Sequence, residues 1–147
     1  MTLPYSRRTR PARRRDTGPT TETRILVRER SAGRCEGCGR ALHAAGTWTA
    51  DHSFHHRRPR GMGGTTDPAA NTPANLLLLC GTGTTGCHGW VESNRGKATA
   101  LGWLVPRGTD PADVPVYDIH ATRDIHDHVW LTTDGYYTPT PPTGGHR

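Results

Sequence analysis

Four cysteines frame the middle of the chain: Cys35 and Cys38 stand three positions apart, Cys80 and Cys87 seven. They constrain the fold more than any other feature, because the chain is poor in material for a core. Of 147 residues only 32% are hydrophobic, with 18 Gly and 12 Pro, and mean hydropathy is −0.73. Such a length makes one modest domain, and a bound metal can stand in for missing core area by tying distant segments together.

Cys35-Glu36-Gly37-Cys38-Gly39 reads as a zinc knuckle, a tight turn whose glycines tolerate unusual dihedrals while two thiolates approach one ion. With Cys80 and Cys87 it supplies the four thiolates of a closed, tetrahedral structural zinc site. The chain has no apolar run long enough for a membrane span, and its N-terminus lacks the apolar segment of a secretory signal. A cytoplasmic, reducing setting is therefore expected, where spaced cysteines bind metal more often than they pair.

Charge is unevenly placed. Residues 1 to 60 hold 14 Arg against 5 acids, net +9, and residues 61 to 147 hold 5 Lys+Arg against 8 acids, net −3. A basic half of this kind faces a polyanion, and DNA is the expected partner. Residues 1 to 18, with six Arg between Arg7 and Arg15 and no apolar periodicity, read as a disordered basic arm. A helix follows from Thr20 or Thr21 to Ala32, stopped by Gly33. Thr47 to His56 has strand alternation and ends at Arg57-Arg58-Pro59. Residues 60 to 73 read as a loop, Asn75 to Cys80 as a short apolar strand pairing back on the first, and Cys87 onward to Ala98 as a helix.

Beyond Lys97 the segments 103–105, 114–117 and 129–133 read as short strands, with Asp134-Gly135 as a hairpin turn. Trp103, Trp130 and Tyr136 would form the small core of this part, and the tail after Pro139 reads as disordered. The expected organisation is the arm at 1–18, a metal-bound domain at 19–97 and a β-rich C-terminal extension at 98–147, α+β in class.

Three histidines stand out from the nine. His55 and His56 end the first strand and His88 follows Cys87 at a helix start, where consecutive side chains diverge by about 100°. Cys87 can then face the zinc while His88 faces a second ion, toward His55 and His56. His43, His120, His126 and His128 fit no motif, and Asp51-His52 is a rival pair best placed in a supporting role.

His55-His56 with Pro59 three places on, Asn75 opening Leu-Leu-Leu-Leu-Cys80, and Cys87-His88 together resemble the HNH endonucleases. The run His-His-Arg-Arg-Pro-Arg-Gly-Met-Gly-Gly is similar to phage-encoded members. The match covers about residues 33 to 96. The resemblance implies a ββα-metal finger, one catalytic divalent cation and hydrolysis of a DNA phosphodiester. It implies His56 as general base, His55 and His88 as ligands of the catalytic ion, and Asn75 as a catalytic residue that holds the loop orienting the base or assists the metal.

A neutral imidazole can take a proton from water near pH 7, and the products would carry 5′-phosphate and 3′-hydroxyl ends. Arg57, Arg58 and Arg60 are expected to grip nonbridging phosphate oxygens. A His at position 55 makes the ion site rich in nitrogen, moving preference from Mg2+ toward Mn2+, Ni2+ or Zn2+. Phage members often act beside the terminase, a possible protein partner. The competing expectation is a noncatalytic zinc-stabilised DNA-binding module or packaging accessory, which would need the cysteines and the arm but not the three histidines.

Overall fold

The computed structural model describes residues 17–61 and 64–142. The arm expected at 1–18 lies outside them, apart from Thr17 and Gly18, as does the end of the expected tail. Helix α1, Thr21–Arg30, is capped by the Thr20 hydroxyl, which accepts the Thr23 N–H. Glu22 in its first turn and Arg28 and Arg30 in its last complement the helix dipole. It ends at Ser31, after which Ala32 and Gly33 take left-handed backbone conformations, and the chain enters the cysteine turn.

The strand expected from Thr47 to His56 is broken in two. Strands β1, His43–Ala44, and β2, Thr47–Trp48, form a small hairpin, while β3 begins only at His52 and runs to His56. Thr49 donates its N–H back to Leu42 O and receives His52 Nδ1–H on its own carbonyl at 2.6 Å. Those local bonds turn the chain where alternation alone predicts continuity.

Strand β4, Leu76–Cys80, pairs antiparallel with β3 in a register that sets His52 opposite Cys80 and His56 opposite Leu76. All five β4 residues are buried, because α1 packs on this strand and so does α2, Gly86–Ser93. A strand covered on both faces reads as a continuous apolar run, which is what four consecutive leucines supply. The expected single helix from Cys87 to Ala98 is two, α2 and α3 (Arg95–Ala100), separated at the nonhelical Asn94. The expected loop at 60–73 includes a 3-10 turn, Pro68–Asn71, capped by Asp67, and another, Pro73–Asn75, leads into β4.

The C-terminal part forms an antiparallel sheet of β5 (Val116–Tyr117), β6 (His128–Leu131) and β7 (Tyr137–Thr138) in that order. Trp103-Leu104-Val105 is not a strand but a buried turn after α3. These elements share one core with the first part: Trp103, Leu104, Val116, Val129 and Leu131 belong to the same buried cluster as Val27 and Leu76–Leu79. Tyr136 is exposed, and its neighbour Tyr137 packs inward in its place.

Glu36, inside the cysteine turn, is only 2% exposed. Arg30 grips its carboxylate with two bonds of 2.8 and 2.9 Å, Leu78 N–H donates to Oε2 at 2.7 Å, and Tyr137 Oη–H donates to Oε1 at 2.6 Å. Arg30 also donates to the Pro73 and Leu76 carbonyls. A buried charge is tolerable only when paired and fully hydrogen-bonded, and this one joins α1, the cysteine turn, β4 and β7. No helix among the described residues is long and apolar enough to cross a membrane.

Candidate metal centres

The four cysteines converge. One sulfur from each of Cys35, Cys38, Cys80 and Cys87 lies within 4.8 Å of the others, and Cys38 Sγ is 3.8 Å from Cys80 Sγ. Thiolates at about 2.3 Å from a tetrahedral ion sit about 3.8 Å apart, so the pair already has the spacing of a filled site. Backbone N–H groups point at the sulfurs: Cys80 N–H donates to Cys35 Sγ at 3.2 Å and Cys87 N–H to Cys80 Sγ at 3.4 Å. The contact from the Cys87 thiol, reinforced by backbone N–H groups, brings the Cys35 thiol down to about 5, toward the thiolate that binds metal. This set can hold a structural metal such as zinc, closing the chain from residue 35 to residue 87.

A second group of donors lies beside the first. Alternation along β3 puts Ser53 and His55 on the face turned to α2, whose first turns carry His88 and Glu92 at i and i+4. One donor atom from each of His55, His88 and Glu92 lies within 4.8 Å of the others, close to the spread of ligands held about 2.0 to 2.2 Å from one ion. The imidazole rings of His55 and His88 meet at 4.9 Å between centroids, edge to face.

Hydrogen bonding fixes which nitrogens are bare. The Trp103 carbonyl can only accept, so His55 Nε2 carries the proton in their 2.8 Å bond and Nδ1 keeps its lone pair. Ser53 Oγ donates to Gly81 O at 2.9 Å and so accepts from His88 Nδ1–H at 2.7 Å. His88 Nε2 is left bare, 4.0 Å from a Glu92 carboxylate oxygen. Two imidazoles each anchored through one nitrogen and bare at the other is the arrangement that prepares histidines as ligands. Burial, against the Trp103 hydrogen bond, pulls His55 down to about 4, and burial also lowers His88. Both rings are neutral near pH 7, the form that binds metal.

His56 stands at the end of β3 with a different partner. Asn71 Nδ2 donates to Thr17 O, which turns the Asn71 amide oxygen toward His56 Nε2–H at 2.9 Å. Nδ1 of His56 is therefore its basic nitrogen. Burial first, and the Arg60 charge after it, hold this imidazole below its ordinary range, against the Asn71 hydrogen bond. Asn75, fully buried, accepts Arg58 N–H at 2.7 Å and donates to Arg58 O and Ala70 O. It locks the loop after His56 to the segment before β4.

The three arginines part company. Arg57, expected to grip phosphate, is wholly buried. Its guanidinium donates to Gly102, Ala74, Pro111 and Val114 carbonyls at 2.8 to 2.9 Å, so it has nothing to offer a ligand. Arg58 is tied to Thr109 O and Asp67, and Arg60 to Thr17 O, both at the surface of the loop. His52, the rival in Asp51-His52, points away with Phe54 and Trp48.

Three residues that serve these histidines stand outside the motifs of the sequence. Glu92 had a signal, its i+4 spacing from His88, and Ser53 had one too, its i−2 relation to His55. Asn71 had none.

The molecule is thus an α+β chain with a four-thiol cluster able to hold a metal and, next to it, a His-His-Glu cluster. No family model, curated protein or solved structure matches this chain.

Proposed function

We propose that this chain is a metal-dependent DNA endonuclease that uses His56 as general base and one divalent cation held by His55 and His88, with Glu92 as a further ligand. One observation carries the reading: three histidines from a strand end and a helix start are each anchored through one ring nitrogen, with the other left bare. The donor set, two neutral imidazoles and a carboxylate, fits Mn2+, Ni2+ or Zn2+ better than Mg2+.

A divalent cation there would supply Lewis-acid stabilisation of negative charge on a phosphoryl oxygen. The chain's own residues do the rest. His56 Nδ1 takes the proton of an attacking water while Asn71 holds the ring through Nε2 and accepts a stronger bond as the imidazolium forms. Asn75 keeps the loop from shifting during that transfer. The order β3, β4, α2 and the resemblance of residues 33 to 96 to HNH endonucleases support the same assignment, and the four-thiol site would fix the helix that bears His88.

The test is nicking of supercoiled plasmid by the full chain with Mg2+, Mn2+, Ni2+ or Zn2+, comparing parent and His56→Ala. The variant should lose a factor of about 10² or more. Because His56 is held below the ordinary imidazole value of 6.5, the parent's rate should persist as pH falls through that value and decline only lower, where the base becomes protonated. Equal cutting by His56→Ala would remove His56 from the chemistry, and absence of cutting with every ion would leave a DNA-binding module.

A further inference from the structure

Two shallow cavities, about 290 Å³ and about 310 Å³, meet along a ridge made by Pro59 and Arg107, which line both. Arg58, Arg60 and Asp67 border the first and Arg95 the second. Three guanidiniums against one carboxylate leave the first cavity with a net charge of +2. A cavity so charged selects an anion.

The arginines are not equivalent. Arg58 and Arg60 each spend donors on the protein, on Thr109 O and Asp67 and on Thr17 O respectively. Arg107 is exposed, and among the described residues it makes no hydrogen bond and no ion pair. It is nevertheless placed: its Nη2 lies so close to Gly61 that a Cβ there would stand 2.9 Å from it. Gly61, at φ +78°, is the residue that lets a guanidinium lie on the bare backbone of the loop. The result is a full set of five N–H donors presented beside two other cations.

The loop that carries Arg58 and Arg60 is the one that begins at His56 and is locked by Asn75 through Arg58 N–H. An anion in the cavity therefore lies on the flank of the candidate catalytic group. We propose that the Arg58–Arg60–Arg107 cavity binds a backbone phosphate of the DNA strand next to the one being cut, with Arg107, from the C-terminal segment, as its principal ligand. The position "next to the one being cut" rests on the nuclease reading above; the binding of a DNA phosphate does not. Arg95, across the Pro59–Arg107 ridge, continues the same track toward α3.

The experiment uses the full chain loaded with one equivalent of zinc for the four thiols and no further divalent ion, and a fluorescent DNA duplex of about 20 base pairs titrated between about 50 and 200 mM salt. Arg107→Ala is compared with Arg40→Ala, an exposed residue paired with Asp51, which removes the same charge away from the cavity. Arg107→Ala should bind roughly tenfold more weakly and reduce the slope of log affinity against log salt by about 0.9, with Arg40→Ala close to the parent in both. Equal effects from the two variants would overturn the cavity as a site, and so would an unchanged slope for Arg107→Ala. Since Arg107 holds nothing together, its variant should melt with the parent. The plasmid assay separates the two readings: loss of cutting in His56→Ala with no Arg107 effect on binding sinks this inference alone, and an Arg107 effect without any cutting sinks the nuclease reading alone.

Discussion

Replacing Arg57 by Met keeps the length and most of the shape of the side chain and removes its donors. Four carbonyls then lose a charged partner. Pro111 O also receives Val114 N–H, so three carbonyls, of Ala74, Gly102 and Val114, depend most on the guanidinium. An orphaned buried acceptor costs about 1 to 3 kcal/mol, giving roughly 3 to 9 kcal/mol for the three. Relief from burying a cation offsets part of this, since burial, with the Arg30 charge adding to it and Glu36 opposing, depresses Arg57 to about 9. The remainder is still a large share of the roughly 5 to 15 kcal/mol that holds a domain together.

Urea unfolding followed by far-ultraviolet circular dichroism measures the loss, and Arg57→Lys should recover only part of it, because three rotating donors cannot reproduce a planar fork. A variant with the parent's stability and weakened DNA binding would show the guanidinium reaching phosphate after all. That result would refute the structural role argued here.

Two further outcomes follow from the metal centres. Cys38→Ser, or exposure of the parent to a strong chelator, should abolish the cooperative melting transition, since structural zinc contributes apparent folding energy of about 10 to 16 kcal/mol; metal analysis should find one zinc per parent chain, and a chelated chain that melts like the parent would contradict the closed site. Ser53→Ala removes the acceptor that turns His88, so the affinity of Mn2+ for the second site should fall about 10- to 100-fold with folding intact, as read by calorimetric titration; unchanged affinity would mean that Ser53 does not orient the ring.

Much of this was legible because it depends on spacing. The Cys-x-x-Cys turn, the apolar run of β4 and the step from Cys87 to His88 are local patterns that survive in one dimension. Arg57 was not legible for the opposite reason: in an Arg-rich run, nothing in the sequence separates the residue that faces solvent from the one that faces four carbonyls contributed by residues 74 to 114. Glu36 was hidden in the same way, an acid between two cysteines whose partners are Arg30, Leu78 and Tyr137. The C-terminal part read as an extension with its own aromatic core, yet 32% hydrophobic residues cannot furnish two cores. Trp103, Val116 and Leu131 were recruited to the one that Leu76–Leu79 had already begun.

The position of Tyr137 on Glu36 has a consequence for how the chain comes into being. The residues from Cys35 to His88 leave the ribosome well before Tyr137 does, and until it arrives one oxygen of the Glu36 carboxylate lacks its phenol partner. Nascent chains settle from the N-terminus, so the four thiols can gather early, but the turn that holds two of them is sealed only when β7, about 100 residues further on, has been made. A chain interrupted before β7 would be left with an open, hydrated charge under its cysteine turn. Arrival of β7 is thereby the step that completes the hydrogen bonds around Glu36.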